Sequence, residues 1–219
     1  MNNIAKVFGI GKVKEQELKN IHKIKTVRNL KQHVKYHPHV LNTRQKLSLR
    51  YHDEIFKPIK REEAVPLANT LKKLSKNSMI LGSYVRHKPM INDLDWLVMV
   101  PVADIIQILT KKNIILGVLS KGEHKASVIV KHPTKKISRK VDIFTCTKKN
   151  MPFMQLFLTG DAVQNIYMRQ RAKKSDMKLN QYGLFHIKNL KPVNKNIKTE
   201  EDIFDTLKIK YKPPTKRNN

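Results

Sequence analysis

Cysteine occurs once in this chain, at position 146, so no internal disulfide can form and no cysteine zinc site can be assembled. A lone thiol fits a reducing compartment. Acidic side chains are also scarce, 17 Asp+Glu against 45 Lys+Arg, which leaves a formal charge of +28. No apolar run approaches the ~20 residues that a spanning helix needs, and the N-terminus has no signal-peptide core, so a soluble, intracellular protein without a membrane partner is expected. Internal repeats are absent, which excludes a solenoid. The nine histidines are scattered, and those of Tyr36-His37-Pro38-His39 read as loop residues rather than ligands.

What remains is ample for a globular protein: 219 residues of which 40% are hydrophobic can bury a real core. Positive charge runs the whole length, so the surface attracts polyanions, and nucleic acid is the leading partner. A ribosomal-type or merely solvated basic protein has the same composition. Charge alone does not separate them.

Three aspartates do. Asp93 and Asp95 lie in Ile91-Asn92-Asp93-Leu94-Asp95-Trp96-Leu97-Val98, and Asp142 lies in Val141-Asp142-Ile143-Phe144, all inside apolar, strand-like runs. An unpaired carboxylate in such a place costs several kcal/mol or is neutralised by a raised pKa, so a cation must face it. Residues two apart on a strand share a face. Asp93 and Asp95 can therefore hold one or two divalent ions together, with Asp142 arriving from a neighbouring strand.

Along the chain, Lys14 to Leu30 and Leu41 to Phe56 read as helices separated by His37-Pro38-His39. Ahead of them, Gly9-Ile10-Gly11 forms a turn that can offer backbone N–H groups to a phosphate, as a helix-hairpin-helix does, or simply a helix entry. A mixed pattern follows: a helix at Glu62–Leu74, strands at 79–81, 94–100, 114–119, 126–131 and 139–145, and a helix near Ala103–Leu109. The last third has a helix at Asp161–Lys174, a hairpin near Tyr182–Leu190 and a tail from Lys212 to Asn219 that is expected to be disordered, with no special role for its basic residues.

Strand, Gly82-Ser83, a short helix bearing Arg86, then Asp-x-Asp on a strand is a coherent nucleotide site. Gly82 permits a tight turn, Ser83 caps the helix or bonds a phosphate, and Arg86 offers a forked cation to phosphate oxygens. Two ions ~4 Å apart would lower the pKa of an attacking hydroxyl and stabilise a leaving pyrophosphate, with Asp142 touching only the ion at the nucleophile. Singly these signals are modest, since Arg86 could pair with Asp104 and Asp-x-Asp could end a strand. Together they point to the nucleotidyltransferase superfamily.

At this point the chain resembles the family X DNA polymerases, in the form of the small repair polymerases of large DNA viruses. The resemblance rests on Gly82-Ser83-Tyr84-Val85-Arg86, Asn92-Asp93-Leu94-Asp95, Arg139-Lys140-Val141-Asp142-Ile143, Leu158-Thr159-Gly160 with Asn165 and Arg169, Leu179 to Phe185, and Glu201-Asp202-Ile203-Phe204 with Tyr211. Upstream, Val7 to Gly11, Leu41-Asn42 with Gln45, and Arg61-Glu62-Glu63 match in order. It implies an α+β fold: a palm with a mixed sheet at 58–148, a helix-hairpin-helix domain at 1–57 and a small α/β domain at 149–219 that closes over the nascent base pair. The implied activity is template-directed gap filling in repair, on gapped or primer–template DNA with a dNTP, by a monomer with a DNA ligase as a possible partner. The implied location is the cytoplasm, a viral replication site or the virion for a viral source, and otherwise the nucleus.

Residue by residue, the resemblance implies that Asp93, Asp95 and Asp142 are catalytic and bind magnesium, for which manganese can substitute. Ser83, Arg86 and Asn92 would hold the triphosphate, Phe157 and Thr159-Gly160 the sugar, and Asn165 the incoming base. Gly9, Gly11, Lys140, Arg169 and Tyr182 would meet DNA, and backbone carbonyls of Ala5, Val7 and Ile10 a sodium or potassium ion. The relatives' lyase domain would precede residue 1, so no sugar-phosphate excision is expected. Pro58 stands where an arginine is often found, Leu158 where an aromatic is usual, and Ala162 and Ile166 where polar contacts are usual, so base and sugar selection are expected to be relaxed. Template-independent transfer, RNA tailing and a non-catalytic basic DNA-binding protein are the competing readings.

Overall fold

The structure, a computed structural model, describes residues 3–193 and 196–217. Helices α1 (Lys12–Asn20), α2 (Val27–Tyr36), α3 (Thr43–Arg50) and α4 (His52–Ile55) come first. The helix expected over Lys14–Leu30 is two, because Lys23 takes a left-handed φ of 56° and the Thr26 side chain caps a fresh start by accepting from Asn29 N–H. The second expected helix also divides: Asn42 and Gln45 cap α3 reciprocally, and Tyr51 at φ −99°, ψ 8° breaks it from α4. Ile4, Leu18, Val27, Leu30 and Leu49 pack as one apolar cluster beneath these helices.

The central part alternates strands and helices: β1 (Ile59–Lys60), α5 (Arg61–Leu74), β2 (Met79–Ile80), α6 (Gly82–Val85), β3 (Met90–Ile91), β4 (Leu94–Val98), α7 (Val102–Lys111), β5 (Ile115–Lys121), β6 (Lys125–Lys131) and β7 (Ser138–Thr145). Five of the strands form a mixed sheet in the order β2-β4-β7-β6-β5, with β4 and β7 parallel and the other pairs antiparallel. Period-two alternation divides its faces. Leu94, Trp96 and Val98 of β4, Val141 and Ile143 of β7, and Ala126, Val128 and Val130 of β6 join one core with Ala64, Leu67, Leu71 and Ile105 from α5 and α7. The intervening positions, Asp95, Lys140, Asp142, Lys125 and Ser127, therefore fall on the other face. Phe144 and Leu97 on that face pack with Met154 and Leu158.

The remainder comprises α8 (Met151–Thr159), α9 (Ala162–Lys173), β8 (Met177–Asn180), β9 (Gly183–His186) and α10 (Glu200–Thr206). Helix α8 lay outside the sequence expectations, and the hairpin starts earlier than its expected start at Tyr182, since Asn180 Oδ1 accepts from the Tyr182 and Gly183 N–H groups and makes the turn there. The expected disordered tail is a correction. Residues Lys212 to Arg217 are ordered, with Arg217 only 1% exposed against Glu200, while Asn218 and Asn219 lie outside the described residues. Among the described residues no helix is long and apolar enough to cross a membrane.

Candidate active site

Asp95 and Asp142 are register partners on the parallel strands β4 and β7, and Ser127 pairs with Asp142 from the other side. Asp93 stands two residues before Asp95. Sheet pairing thus brings Asp142, distant in sequence, beside the Asp93 and Asp95 pair. Burial first, then the charges of Asp93 and Asp142, push the Asp95 pKa up to about 7. Such a shift marks a site short of positive charge.

Two lysines supply part of it. Lys140 Nζ lies 2.8 Å from Asp93 Oδ2 and 3.5 Å from Asp142 Oδ1, and Lys125 Nζ lies 3.1 Å from Asp142 Oδ2. Burial works against the Lys140 ammonium, but Asp142 and Asp93 outweigh it and hold its pKa above the ordinary value. Ser127 Oγ donates to Asp142 Oδ1 at 2.6 Å. With Lys140 wedged between Asp93 and Asp142, no group of three carboxylate, imidazole or thiol side chains among the described residues is arranged as a ready metal cage. The donor types themselves suit a divalent cation: three hard carboxylates lie near enough to repel one another, and added positive charge would relieve that repulsion.

The adjacent turn is built around Gly82. Its φ is +64°, and a Cβ there would lie 1.9 Å from Asp95 Oδ2, so only glycine lets the backbone of α6 pass the carboxylate. Leu81 N–H donates to the Asp95 carbonyl at 2.8 Å and fixes the approach. Ser83, Arg86, Asn92, Asp93 and Asp95 then line one wall of a cleft of about 680 Å³. Arg86 Nη1 donates to the Thr159 carbonyl at 3.3 Å, so it faces α8.

Phe157, Gly160 and Asn165 line the opposite wall. Asp161 caps α9 by accepting from Gln164 N–H. Asn165 Nδ2 donates to the Phe157 carbonyl at 2.9 Å and the Gly160 carbonyl at 3.3 Å, which staples the bend between the two helices. Tyr182 completes the cleft and meets His124 edge-on, ring centroids 6.0 Å apart. Arg169 is the outlier: it lines smaller recesses beside Asn180, with its guanidinium 5.9 Å from the Phe157 ring.

Sequence reasoning passed over Lys125, Ser127 and His124. The available signal was the polar residue at every second position of Lys125-Ala126-Ser127 in an otherwise apolar strand. At the N-terminal turn, Gly9 has φ +86° and its carbonyl accepts from Gln45 Nε2 at 2.7 Å, while Gly11 caps α1. The Val7 carbonyl already accepts from Ile10 N–H at 3.0 Å. Ile10 and Val7 are buried; Ala5 is exposed.

A mixed sheet that presents three carboxylates beside a Gly-Ser turn and a cleft bearing Arg86 and Lys125 defines a nucleotidyltransferase. Comparison with known proteins sharpens this. A family model described as DNA polymerase beta thumb matches residues 154–218. The Repair DNA polymerase X of an African swine fever virus tick isolate from Pretoriuskop, South Africa, is 34% identical over 151 residues, covering 67% of this chain and 84% of that one, and the Badajoz strain's protein is 32% identical over the same length. Polymerase beta of Leishmania infantum, solved as a ternary P/T complex, superposes with a TM-score of 0.87 over 99% of this chain and 97% of that one, at 24% identity. The chain belongs to the family X DNA polymerases, DNA-directed nucleotidyltransferases of DNA repair.

Proposed function

We propose that this polymerase fills short gaps in duplex DNA, joining a templated deoxynucleotide to a primer 3′-hydroxyl. One observation carries the reading. Asp93, Asp95, Ser83 and Arg86 share a single cleft with Phe157, Gly160 and Asn165, which supports a nucleotide lying with its phosphates toward the carboxylates and its sugar toward the bend.

Asp93, Asp95 and Asp142 would hold magnesium, or manganese in its place. Once bound, the metal supplies an acidified hydroxyl and a neutralised leaving pyrophosphate. Ser83 and Arg86 bind the triphosphate by charge-assisted hydrogen bonds, and Asn92 borders it. Phe157 and Gly160 meet the sugar. Asn165 exchanges its backbone partners for the base edge. Lys140 leaves Asp93 for the primer-terminal phosphate, a move its partly exposed, flexible stem allows. Arg169 and Tyr182 meet the template strand. The Gly9–Gly11 turn holds the duplex backbone, with a sodium or potassium ion at the carbonyls of Ala5, Val7 and Ile10. Residues 1–57, 58–148 and 149–219 act as DNA-gripping, catalytic and nucleotide-closing units, a division supported by their largely separate apolar clusters.

Single-nucleotide insertion into a one-nucleotide gap tests the reading, each dNTP being offered alone against each template base. Preferential insertion of the complementary nucleotide is expected. Equal incorporation irrespective of template would replace it with terminal transfer.

A further inference from the structure

The C-terminal segment delivers one charge into the interior. Arg217 is 1% exposed, and its partners Thr159 and Glu200 are 1% and 8% exposed. Its Nη1 donates to Glu200 Oε1 at 2.9 Å and to the Thr159 hydroxyl, Nη2 donates to Glu200 Oε2 at 3.3 Å, and Nε donates to the Lys212 carbonyl at 2.6 Å. The Thr159 hydroxyl lies 2.7 Å from Glu200 Oε1 and 2.8 Å from the Gln155 carbonyl, so its one proton serves an acceptor while its oxygen accepts from Arg217. The guanidinium also sits over the Phe204 and Tyr211 rings at 5.3 and 5.6 Å.

Apolar packing also docks the chain that leads into this segment. Ile203, Phe204 and Leu207 already form an apolar bed, with Tyr211 packed on it. Burying an ion pair adds a desolvation cost that an apolar pair of the same size would avoid, so we read this fork as fixing geometry rather than as adding stability. The geometry fixed here is that of Thr159, the last residue of α8 before the Gly160 bend. The Thr159 carbonyl, in turn, accepts from Arg86 of the palm.

We propose that Arg217 is a positioning residue for the incoming nucleotide. Through Glu200 and the Thr159 hydroxyl it sets the bend at Gly160, and through the Thr159 carbonyl it sets the guanidinium of Arg86. The inference rests on the reading that Arg86 and the bend hold the dNTP. Its consequence is that a residue outside the cleft tunes nucleotide binding more than the chemical step.

The test is single-nucleotide gap filling over a range of dNTP concentrations, with thermal melting of the same full-length proteins. Arg217→Met should raise KM for the complementary dNTP about tenfold with kcat changed less than about threefold, the scale set by small displacements of a binding group. Two further variants separate positioning from stability. Arg217→Lys keeps a charge for Glu200 but has no second nitrogen for Glu200 Oε2 and none for the Lys212 carbonyl, so the fork that orients Glu200 and Thr159 is lost. The pair Glu200→Gln with Arg217→Met removes both buried charges. Both should melt closer to wild type than Arg217→Met does and still show the raised KM. A wild-type KM in either variant would overturn the proposal and reduce Arg217 to a fold-holding contact. Should the wild-type protein itself fail to insert the complementary nucleotide, the underlying reading fails instead, and the two outcomes are distinct.

Discussion

Replacing Gly82 by alanine would put a methyl carbon 1.9 Å from Asp95 Oδ2 and 3.0 Å from its Cγ. Ordinary contact begins near 3.4 Å, so the carboxylate or the α6 turn must retreat by about 1.5 Å, and a displacement of that order costs roughly a hundredfold in rate when it touches a reacting group. The left-handed φ adds about 1–2 kcal/mol of backbone strain. In a chain of this length that is worth about 2–8 °C of melting temperature, so the folded state survives the change. Gap filling by Gly82→Ala should therefore fall about a hundredfold in kcat while duplex binding persists. Gly122→Ala is the control, because its added Cβ meets only the Lys125 carbonyl at 3.4 Å and should leave the rate unchanged. A Gly82→Ala enzyme of wild-type rate would refute the placement of Asp95 at the reacting centre.

Ser127→Ala removes a hydroxyl donor to the buried Asp142 carboxylate and should cost about 1.5–3 kcal/mol in chemical denaturation, together with a loss of extension rate. Leu71→Ala, fully buried under the sheet, should cost about 2–5 kcal/mol with gap filling retained below the melting point. For the metal-free protein, the folded pKa of Asp95 at about 7 exceeds the ordinary 3.8, so its proton is bound more tightly in the native state. That stabilisation is complete below 3.8 and disappears as pH rises through 7; denaturation across this range should show falling stability that Asp95→Asn flattens, and magnesium should restore stability most at the upper end. An unchanged slope in Asp95→Asn would reject this origin.

Much of the sheet was legible because each strand carries the alternation its two faces demand. The expected strand at 139–145 is Ser138–Thr145, and that at 126–131 is Lys125–Lys131. Acidic residues that interrupt such runs marked the site before any coordinates did. Helix α8 was not legible, since Pro152, Phe153, Met154, Leu156 and Leu158 are buried on several sides between two apolar clusters, and a helix apolar all round has no stripe to read. Arg217 was hidden for the opposite reason. A basic residue in a basic tail reads as solvated, and only the distant Glu200 and Thr159 give it an interior place. Lys140 was expected at a primer phosphate, whereas without DNA the nearest anions are Asp93 and Asp142. The break at Lys23 turned on a left-handed residue that lysine does not signal.

The account stands most directly on Asp142, which the sheet holds opposite Asp95. Primer extension and gapped-duplex binding measured side by side for Asp142→Asn should give synthesis abolished and affinity nearly that of the unaltered protein. Extension continuing in that variant would contradict a reaction centred on the three carboxylates.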